Sequence, residues 1–440
     1  MKILAQIAWR NAIKNWRHSL AAIISISAGF LSLVLFQGYI TDVNYLYEEG
    51  YTHRAMYGHI VIENPLIQSR EGRANPDLFS ITQAEQKSVQ KFLLEQKSIV
   101  ENTVRFLPVT GMVTNGRSSF IFIAMGYDIE AGARMRAPNW TWETLYGQPL
   151  QIAQDPAGVV LGQSLGFLLG CVPVKKVPAM GQNTGYKPEI RPFKCYRDSI
   201  QVSANTVTGQ LNALDLNVVG LIDGGYKDID EKWMKISIEN AQMLLNTDKI
   251  RFQSVLLKEP SLINQFVEEF NAFAAREKMG LKAVPWYDHK VADLYKQVKS
   301  LLGIFQAFIV TVILTISGLS VLNTVVKSVK ERTKEIGTLR SLGFTGRQVG
   351  FIFALEAFYL SMMGVALGAL IALFTTFVVN QSQIFYRAGL LSEPILFRIG
   401  YDFRAYWICT VLLGLLAVLA SHLAAKSTVR ARVSENLTHV

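Results

Sequence analysis

Residues 331–368 read ERTKEIGTLRSLGFTGRQVGFIFALEAFYLSMMGVALG, and a change of character midway through this stretch decides the fold. Up to Gly343 the apolar residues Ile336, Leu339 and Leu342 recur on one side of a helix whose other positions carry Glu331, Arg332, Lys334, Glu335 and Arg340. Gly343 is placed as a C-terminal stop, and Thr345 with Gln348 forms a capping box that opens a second helix. From Val349 to Val379 that second helix carries a single charged residue, Glu356. A run of this length crosses a bilayer with some tilt. A short amphipathic helix therefore lies at a membrane surface and leads directly into a membrane span. On spacing alone, an interfacial helix with a positive flank accounts for it.

Working outward, residues 18–41, 300–326 and 405–425 are free of Asp, Glu, Lys and Arg, and each is long enough for a core that needs about 20 apolar residues. With half of its 440 residues hydrophobic, the chain is too apolar for a purely soluble protein. The net charge of +10 would suit nucleic acid, but its distribution points to a membrane instead. Lys2, Arg10, Lys14 and Arg17 precede the first span without an acid, whereas Asp42, Glu48 and Glu49 follow it. The 327–347 loop and the tail with Lys426, Arg430 and Arg432 are also basic, so both termini are expected in the cytoplasm. The first apolar run exceeds a signal-peptide core and no small-residue cleavage site follows it, so it reads as an uncleaved anchor.

The expected class is an α-helical membrane protein with four transmembrane helices and a large α+β extracytoplasmic domain between the first two. In order, 1–18 is a cytoplasmic amphipathic helix, 19–41 the first span, 42–299 the extracytoplasmic domain with helical stalks, and 300–326 the second span. Then come a cytoplasmic loop helix at 327–347, the third span at 348–379, an outside loop at 380–404, the fourth span at 405–425, and a cytoplasmic tail at 426–440. Within the large insertion, His59–Asn64, Phe120–Ala124, Ser254–Leu257 and Leu281–Trp286 read as strands. Thr82 with Glu85 caps a helix whose Val89, Phe92 and Leu93 face one way, and Leu262, Phe266, Phe270 and Phe273 mark another. Two β-α-β passages result, forming an α+β domain of one or two lobes. Val291, Leu294, Val298 and Leu301 carry helical spacing into the second span, and Val43, Leu46 and Tyr47 extend the first one outward. The alternative to such stalks is helix ends frayed into solvent.

No Gly-Lys dipeptide occurs, so the phosphate-cradling loop of ATPases is missing and ATP hydrolysis is expected in another subunit. The six histidines show no H-E-x-x-H pattern and no G-x-S-x-G elbow is present. His53 and His59 are close enough in sequence to share a metal, but an ordinary surface pair is the simpler reading. Cys409 in the fourth span is read as packing. Cys171 and Cys195 fall outside, where a disulfide persists, and they bracket a basic stretch with Lys175, Lys176, Lys187, Arg191 and Lys194. A stapled basic loop is the expectation, two free thiols the alternative. Gly364 and Gly368 make a G-x-x-x-G step for close helix approach.

Taken together, ERTKEIGTLRSLGFTGRQV and FIFALEAFYLSMMGVALG resemble the signature of the FtsX/MacB/LolE group of ABC permeases. The opening IAWRNAIKNWRHSL is similar to that group's start, and GVVLGQSLGFLLG, NVVGLIDGG and ISIENAQMLLN are similar to its outer domain. The resemblance implies a type VII ABC transporter in which two permeases, identical or homologous, pair and a cytoplasmic ATPase dimer clasps the loop helix. Glu335, Ile336, Gly337, Leu339, Arg340 and Gly343 would be the coupling helix, and Glu356 falls where the group has an acidic residue. Glu356 has Arg340 and Arg347 as possible partners, or it snorkels to water. No cofactor is expected in this chain, with ATP and magnesium in the partner ATPase. Other implied partners are membrane lipid and a periplasmic or outer-membrane protein, with no role for nucleic acid. The implied function is release or extrusion of lipoprotein or another hydrophobic cargo, with an FtsX-like transmitter to a cell-wall hydrolase or a MacB-like tripartite efflux permease as alternatives. A membrane-anchored enzyme or receptor would need a catalytic constellation or an output domain, and neither is visible.

Overall fold

The structure, a computed structural model, describes residues 2–14, 16–175, 188–331, 333–386 and 394–429. They form two compact units: Met1–Asn44 with Val298–Ile384 and Phe397–Val440, and Tyr45–Gln297 with Phe385–Leu396.

The helical unit contains α1 (Lys2–Lys14), α2 (Trp16–Glu49), α11 (Asp293–Glu331), α12 (Thr333–Ser341), α13 (Gly346–Gln381) and α14 (Phe403–Val429). Four of these, α2, α11, α13 and α14, contain stretches long and apolar enough to cross a membrane. The capping box that opens α13 is present, with Thr345 Oγ1 accepting from the Gln348 amide and the Gln348 side chain accepting from the Thr345 amide. Along α13 the buried residues Val349, Ile352, Phe353, Glu356, Leu360 and Gly364 fall on one stripe at helical spacing. That stripe meets α2. A Cβ at Gly364 would lie 2.9 Å from Ile26 Cβ and 3.0 Å from the Ile23 carbonyl, and one at Gly368 only 2.8 Å from the Ser27 carbonyl. The glycine step therefore lets two backbones approach. We expect Gly368→Ala to lower the thermal midpoint of the purified protein, because backbone atoms of α2 cannot yield as a flexible side chain would. Gly350→Ala, where a Cβ meets nothing within 4 Å, should leave the midpoint unchanged or raise it. Equal midpoints for the two variants would refute the close approach.

The sheet unit contains β1 (Ile60–Glu63), α3 (Arg70–Ala74), α4 (Gln83–Glu95), β2 (Val100–Thr114), β3 (Ser119–Tyr127), α5 (Ile129–Arg136), β4 (Thr144–Gly147) and α6 (Leu150–Ala153). It continues with β5 (Gly158–Gly162), α7 (Gln163–Leu168), β6 (Val172–Pro173), β7 (Phe193–Lys194), β8 (Ser199–Asn205), β9 (Leu211–Ile222) and α8 (Lys227–Asp230). It ends with β10 (Trp233–Ser237), α9 (Ile238–Leu245), β11 (Phe252–Leu257), α10 (Ile263–Arg276) and β12 (Lys282–Pro285), and a distant hairpin adds β13 (Phe385–Tyr386) and β14 (Ile395–Leu396). Ten strands form one sheet in the order β12-β1-β11-β2-β3-β10-β5-β9-β4, with β8 paired to both β2 and β9.

Two β-α-β passages exist and interlock, but the first closes on β2, a strand not marked in the sequence, and not on Phe120–Ala124, which falls in β3. β1 is antiparallel to both β11 and β12, and β11 is antiparallel to β2. Hence β1-α4-β2 and β11-α10-β12 are each parallel pairs split by a strand of the other, which is the interleaved split β-α-β arrangement. One sheet results rather than two lobes. Its two faces carry separate cores: Ile60, Ile62, Val109 and Val255 lie in one cluster and Val61, Val104, Phe106 and Leu256 in the other. On α10 the buried side chains are Ile263, Phe266, Phe270 and Ala274, while Leu262 sits in the preceding 3-10 turn and Phe273 is half-buried.

Candidate functional site

The loop helix α12 is delimited at its C-terminus by backbone chemistry. Phe344 N donates to the Leu339 carbonyl at 3.1 Å and Gly343 N to the Arg340 carbonyl at 3.1 Å, the paired bonds of a Schellman stop. Gly343 has φ +93, a conformation glycine adopts without cost. Among the expected coupling residues, Gly337 is buried, Leu339 and Arg340 are half-buried and Gly343 is exposed. The side chains of Glu335 and Ile336 lie outside the described set, as does Arg332. Leu339 packs against the core of its own helical unit. Leu342, expected on the same helix face, instead sits in the turn beyond the helix and is 73% exposed. The Schellman turn carries it off the helical repeat, so Leu339 anchors the helix and Leu342 is the apolar residue presented outward. Glu356 is buried on the inward stripe of α13 rather than exposed at the surface.

In the sheet unit the end of α2 runs into a π-helical segment, Gly50–Arg54, and this is where polar groups concentrate. Glu49 Oε1 accepts from Asn139 and from the Trp140 indole at 3.1 Å, and Arg54 donates to the Asp223 carboxylate at 2.9 Å. His53 Nδ1 lies 2.9 Å from the Met135 carbonyl. Directly behind this segment is a charge cluster that the strand and helix patterns do not reveal. Arg136 is fully buried, its guanidinium 3.3 Å from Glu143 Oε1 and 3.1 Å from Gln151 Oε1, and Lys235 of β10 donates to Glu143 Oε2. Two cations thus share one anion. Burial, reinforced by Arg136 and opposed by Glu143, pushes the Lys235 ammonium down to about 8. Burial alone would raise the Glu143 carboxyl, but Arg136 and Lys235 hold it below its ordinary value. The sequence signal was a lysine inside the otherwise apolar strand WMKIS.

The two helices leaving the sheet unit are tied by aromatic rings. Tyr47 and Tyr51 pack against Trp286 and Tyr295, with ring centroids 5.1 Å apart for Tyr51 and Trp286 and 5.2 Å for Tyr47 and Tyr295. Lys296 adds donors to the Asp288 and His289 carbonyls, fixing the start of α11. Elsewhere, α4 and β2 border a polar groove of about 710 Å³ lined by Gln83, Lys87, Gln90, Lys97, Arg105 and Gln253. Arg105 is held there by the Asp128 carboxylate.

Cys171 and Cys195 form a disulfide that closes the β6-β7 hairpin. Residues 176–187 of the basic stretch, with Lys176 and Lys187, lie outside the described set. Cys409 is a buried free thiol. His59 is not a surface residue: it is buried and its Nδ1 accepts from the Leu257 amide at 3.1 Å. Burial, with His53 nearby, pushes it down to about 4. No group of three or more metal-ligating side chains occurs among the described residues.

Residues 307–432, covering most of α11 and all of α12, α13 and α14, match the family model described as FtsX-like permease C-terminal. An uncharacterized ABC transporter permease of Methanocaldococcus jannaschii is 27% identical over 198 residues, 43% of this chain and 45% of that protein. The macrolide export ATP-binding/permease protein MacB of Campylobacter jejuni is 30% identical over 93 residues, 20% of this chain and 14% of that protein. The chain thus spans less than half the length of these curated relatives. Among solved structures, the extracellular domain of the noncanonic ABC-type transporter YknZ from Gram-positive bacteria aligns with 51% of this chain and 98% of its own, at 12% identity and a TM-score of 0.32. The periplasmic region of MacB from Actinobacillus actinomycetemcomitans aligns with 55% of this chain and 92% of its own, at 11% identity and a TM-score of 0.32.

Proposed function

We propose that this chain, an ABC transporter permease of the FtsX/MacB type, couples ATP hydrolysis by a separate cytoplasmic ATPase dimer to movement of its sheet unit, releasing or extruding lipoprotein or another hydrophobic cargo. In this reading the sheet unit is extracytoplasmic, both termini are cytoplasmic, the chain resides in the inner membrane of a bacterium and it pairs with a second permease. ATP and magnesium belong to the partner. The observation that carries the proposal is α12: a helix stopped by a Schellman turn and followed by a capped membrane helix, within the segment that matches the permease family. A helix with a defined end that leads straight into the next helix transmits a push, whereas a frayed loop would absorb it.

The burial pattern selects the test. Leu339 supports α12 on its own unit, so its replacement would disturb the helix itself. Leu342 projects away, so Leu342→Asp should spare the fold. We expect this variant to reach the membrane at normal levels yet to lose at least roughly ten-fold of the ATPase that co-purifies with the wild type, since an apolar anchor replaced by a charge costs on the order of 2 kcal/mol or more. ATPase recovery equal to wild type, quantified by mass spectrometry of the native-membrane complex, would remove α12 from the coupling role.

A further inference from the structure

One edge of the sheet unit combines two kinds of exposed side chain that rarely occur together without a partner. The disulfide-closed hairpin β6-β7, the C-terminal end of α7 and the β2-β3 turn converge there. Asn115 of that turn donates to the Leu169 carbonyl at 2.8 Å, Tyr196 N donates to the Gly170 carbonyl, and the Arg117 guanidinium lies 3.7 Å over the Tyr196 ring. The apolar side chains Phe167, Leu168, Val172, Val174, Ile190 and Tyr196 are all exposed, Val174 at 61% and Ile190 at 62%. Interleaved with them among the described residues are the exposed cations Arg117, Lys175, Lys194 and Arg197 against Asp198. Arg191 is largely covered and pairs with Glu189 at 3.0 Å, so these two cancel.

We infer that this edge is a docking surface for an anionic lipid bilayer. Scattered exposed apolar residues need no explanation, but six of them on elements joined to one another, with cations between them, mark an interaction site. Charge decides which. A protein partner of ordinary composition would be met by both signs of charge at the rim, whereas Arg117, Lys175, Lys194 and Arg197 against Asp198 call for a polyanion. Protruding valines, an isoleucine and a phenylalanine have no use in a purely ionic contact. They do suit a bilayer, where apolar side chains enter the acyl boundary while lysine and arginine stay at the phosphates. The disulfide and the β6-β7 pairing hold together the strand ends that carry Val172 and Lys194, so little conformational entropy is lost there on docking. None of these residues belongs to α12 or to the aromatic contacts between α2 and α11, so the inference stands apart from the coupling proposal.

The test uses the full chain in phosphatidylcholine nanodiscs, mixed at low salt with sucrose-loaded vesicles that are then pelleted. Vesicles containing phosphatidylglycerol should carry the protein down, and vesicles of phosphatidylcholine alone should not. Lys175→Glu with Lys194→Glu and Arg197→Glu should weaken capture by at least roughly hundred-fold, from about five-fold per cation near an anionic surface. Val172→Asp with Val174→Asp should weaken it by roughly ten-fold or more, since apolar insertion is lost. Both variants are to be checked for an intact Cys171–Cys195 disulfide by mass spectrometry and for an unchanged melting midpoint. Failure of the wild type to pellet with anionic vesicles would overturn the inference. So would loss of capture in the charge variant alone, because that outcome describes a general polyanion site and not a lipid surface.

Discussion

Glu143→Gln is expected to destabilise the sheet unit by about 3–5 kcal/mol, because it leaves Arg136 and Lys235 buried without their shared counter-ion. The substitution preserves side-chain volume, so packing loss contributes little and the effect reports charge. Lys235→Met, by contrast, removes the surplus cation while Arg136 and Glu143 remain paired, and should be near neutral or stabilising. The pH dependence follows from the lowered Lys235 value. Below about pH 8 the lysine is charged in both folded and unfolded protein, and the cost of burying it is fully present. Between about 8 and its ordinary value of 10.5 the folded protein holds fewer protons than the unfolded one, so stability rises with pH across that window. The slope from this one group cannot exceed about 1.4 kcal/mol per pH unit. Denaturant titrations followed by tryptophan fluorescence, with Trp140 and Trp142 beside the cluster in sequence, read both effects. A Lys235→Met variant that keeps the wild-type slope between pH 8 and 10 would show that another group is responsible.

The consequence for function is positional. Glu49, His53 and Arg54 of the α2 terminus are tied to Asn139, Trp140, Met135 and Asp223, and Met56 Sδ accepts from Arg136. The end of the helix is therefore fastened to the region that holds the charge cluster, and movement of one is resisted by the other.

How far such features were legible depends on the range of the interaction that creates them. The membrane helices were written in the sequence because an uncharged run is a local property, and the capping boxes Thr82/Glu85 and Thr345/Gln348 were legible for the same reason. Gly364 and Gly368 announced a close approach but not its partner, since α2 lies more than three hundred residues away in the chain. Strands were harder. β1 looks like an alternating strand yet is buried throughout, because Ile60 and Ile62 enter one core and Val61 the other. Burial on both faces removes the period-two signal, and β5, reading GVVLG, gave none at all. The Arg136, Glu143 and Lys235 cluster left only the lone lysine of WMKIS as a signal, because its members come from α5, a loop and β10 and meet only through the sheet. Leu342 was misplaced because the helical repeat stops at Ser341, one residue before it, where the turn through Gly343 begins.

A Gly-Gly insertion after Lys296 is expected to uncouple ATP hydrolysis from cargo movement. α11 runs without a break from Asp293 to Glu331, and Lys296 stands inside its first turn, donating to the carbonyls of Asp288 and His289. A continuous α-helix advances about 1.5 Å per residue and bends little, so displacement at one end appears at the other. Two inserted glycines cost roughly 1 kcal/mol each in helix stability and add backbone freedom at the point of transmission. They also rotate everything that follows by about 200° relative to the residues before, at 3.6 residues per turn. That rotation would take the downstream helix out of register with Tyr295 and its ring contacts to Tyr47 and Trp286. Ala-Ala at the same place imposes the same rotation while keeping the helix stiff, so the pair of variants separates flexibility from register. If force travels along α11, the Gly-Gly protein should hydrolyse ATP in the reconstituted complex at close to the wild-type rate and lose cargo release almost completely. Ala-Ala should retain a measurable part of it. Full release activity in the Gly-Gly variant would make α11 a tether and move the site of cargo handling into the membrane helices themselves.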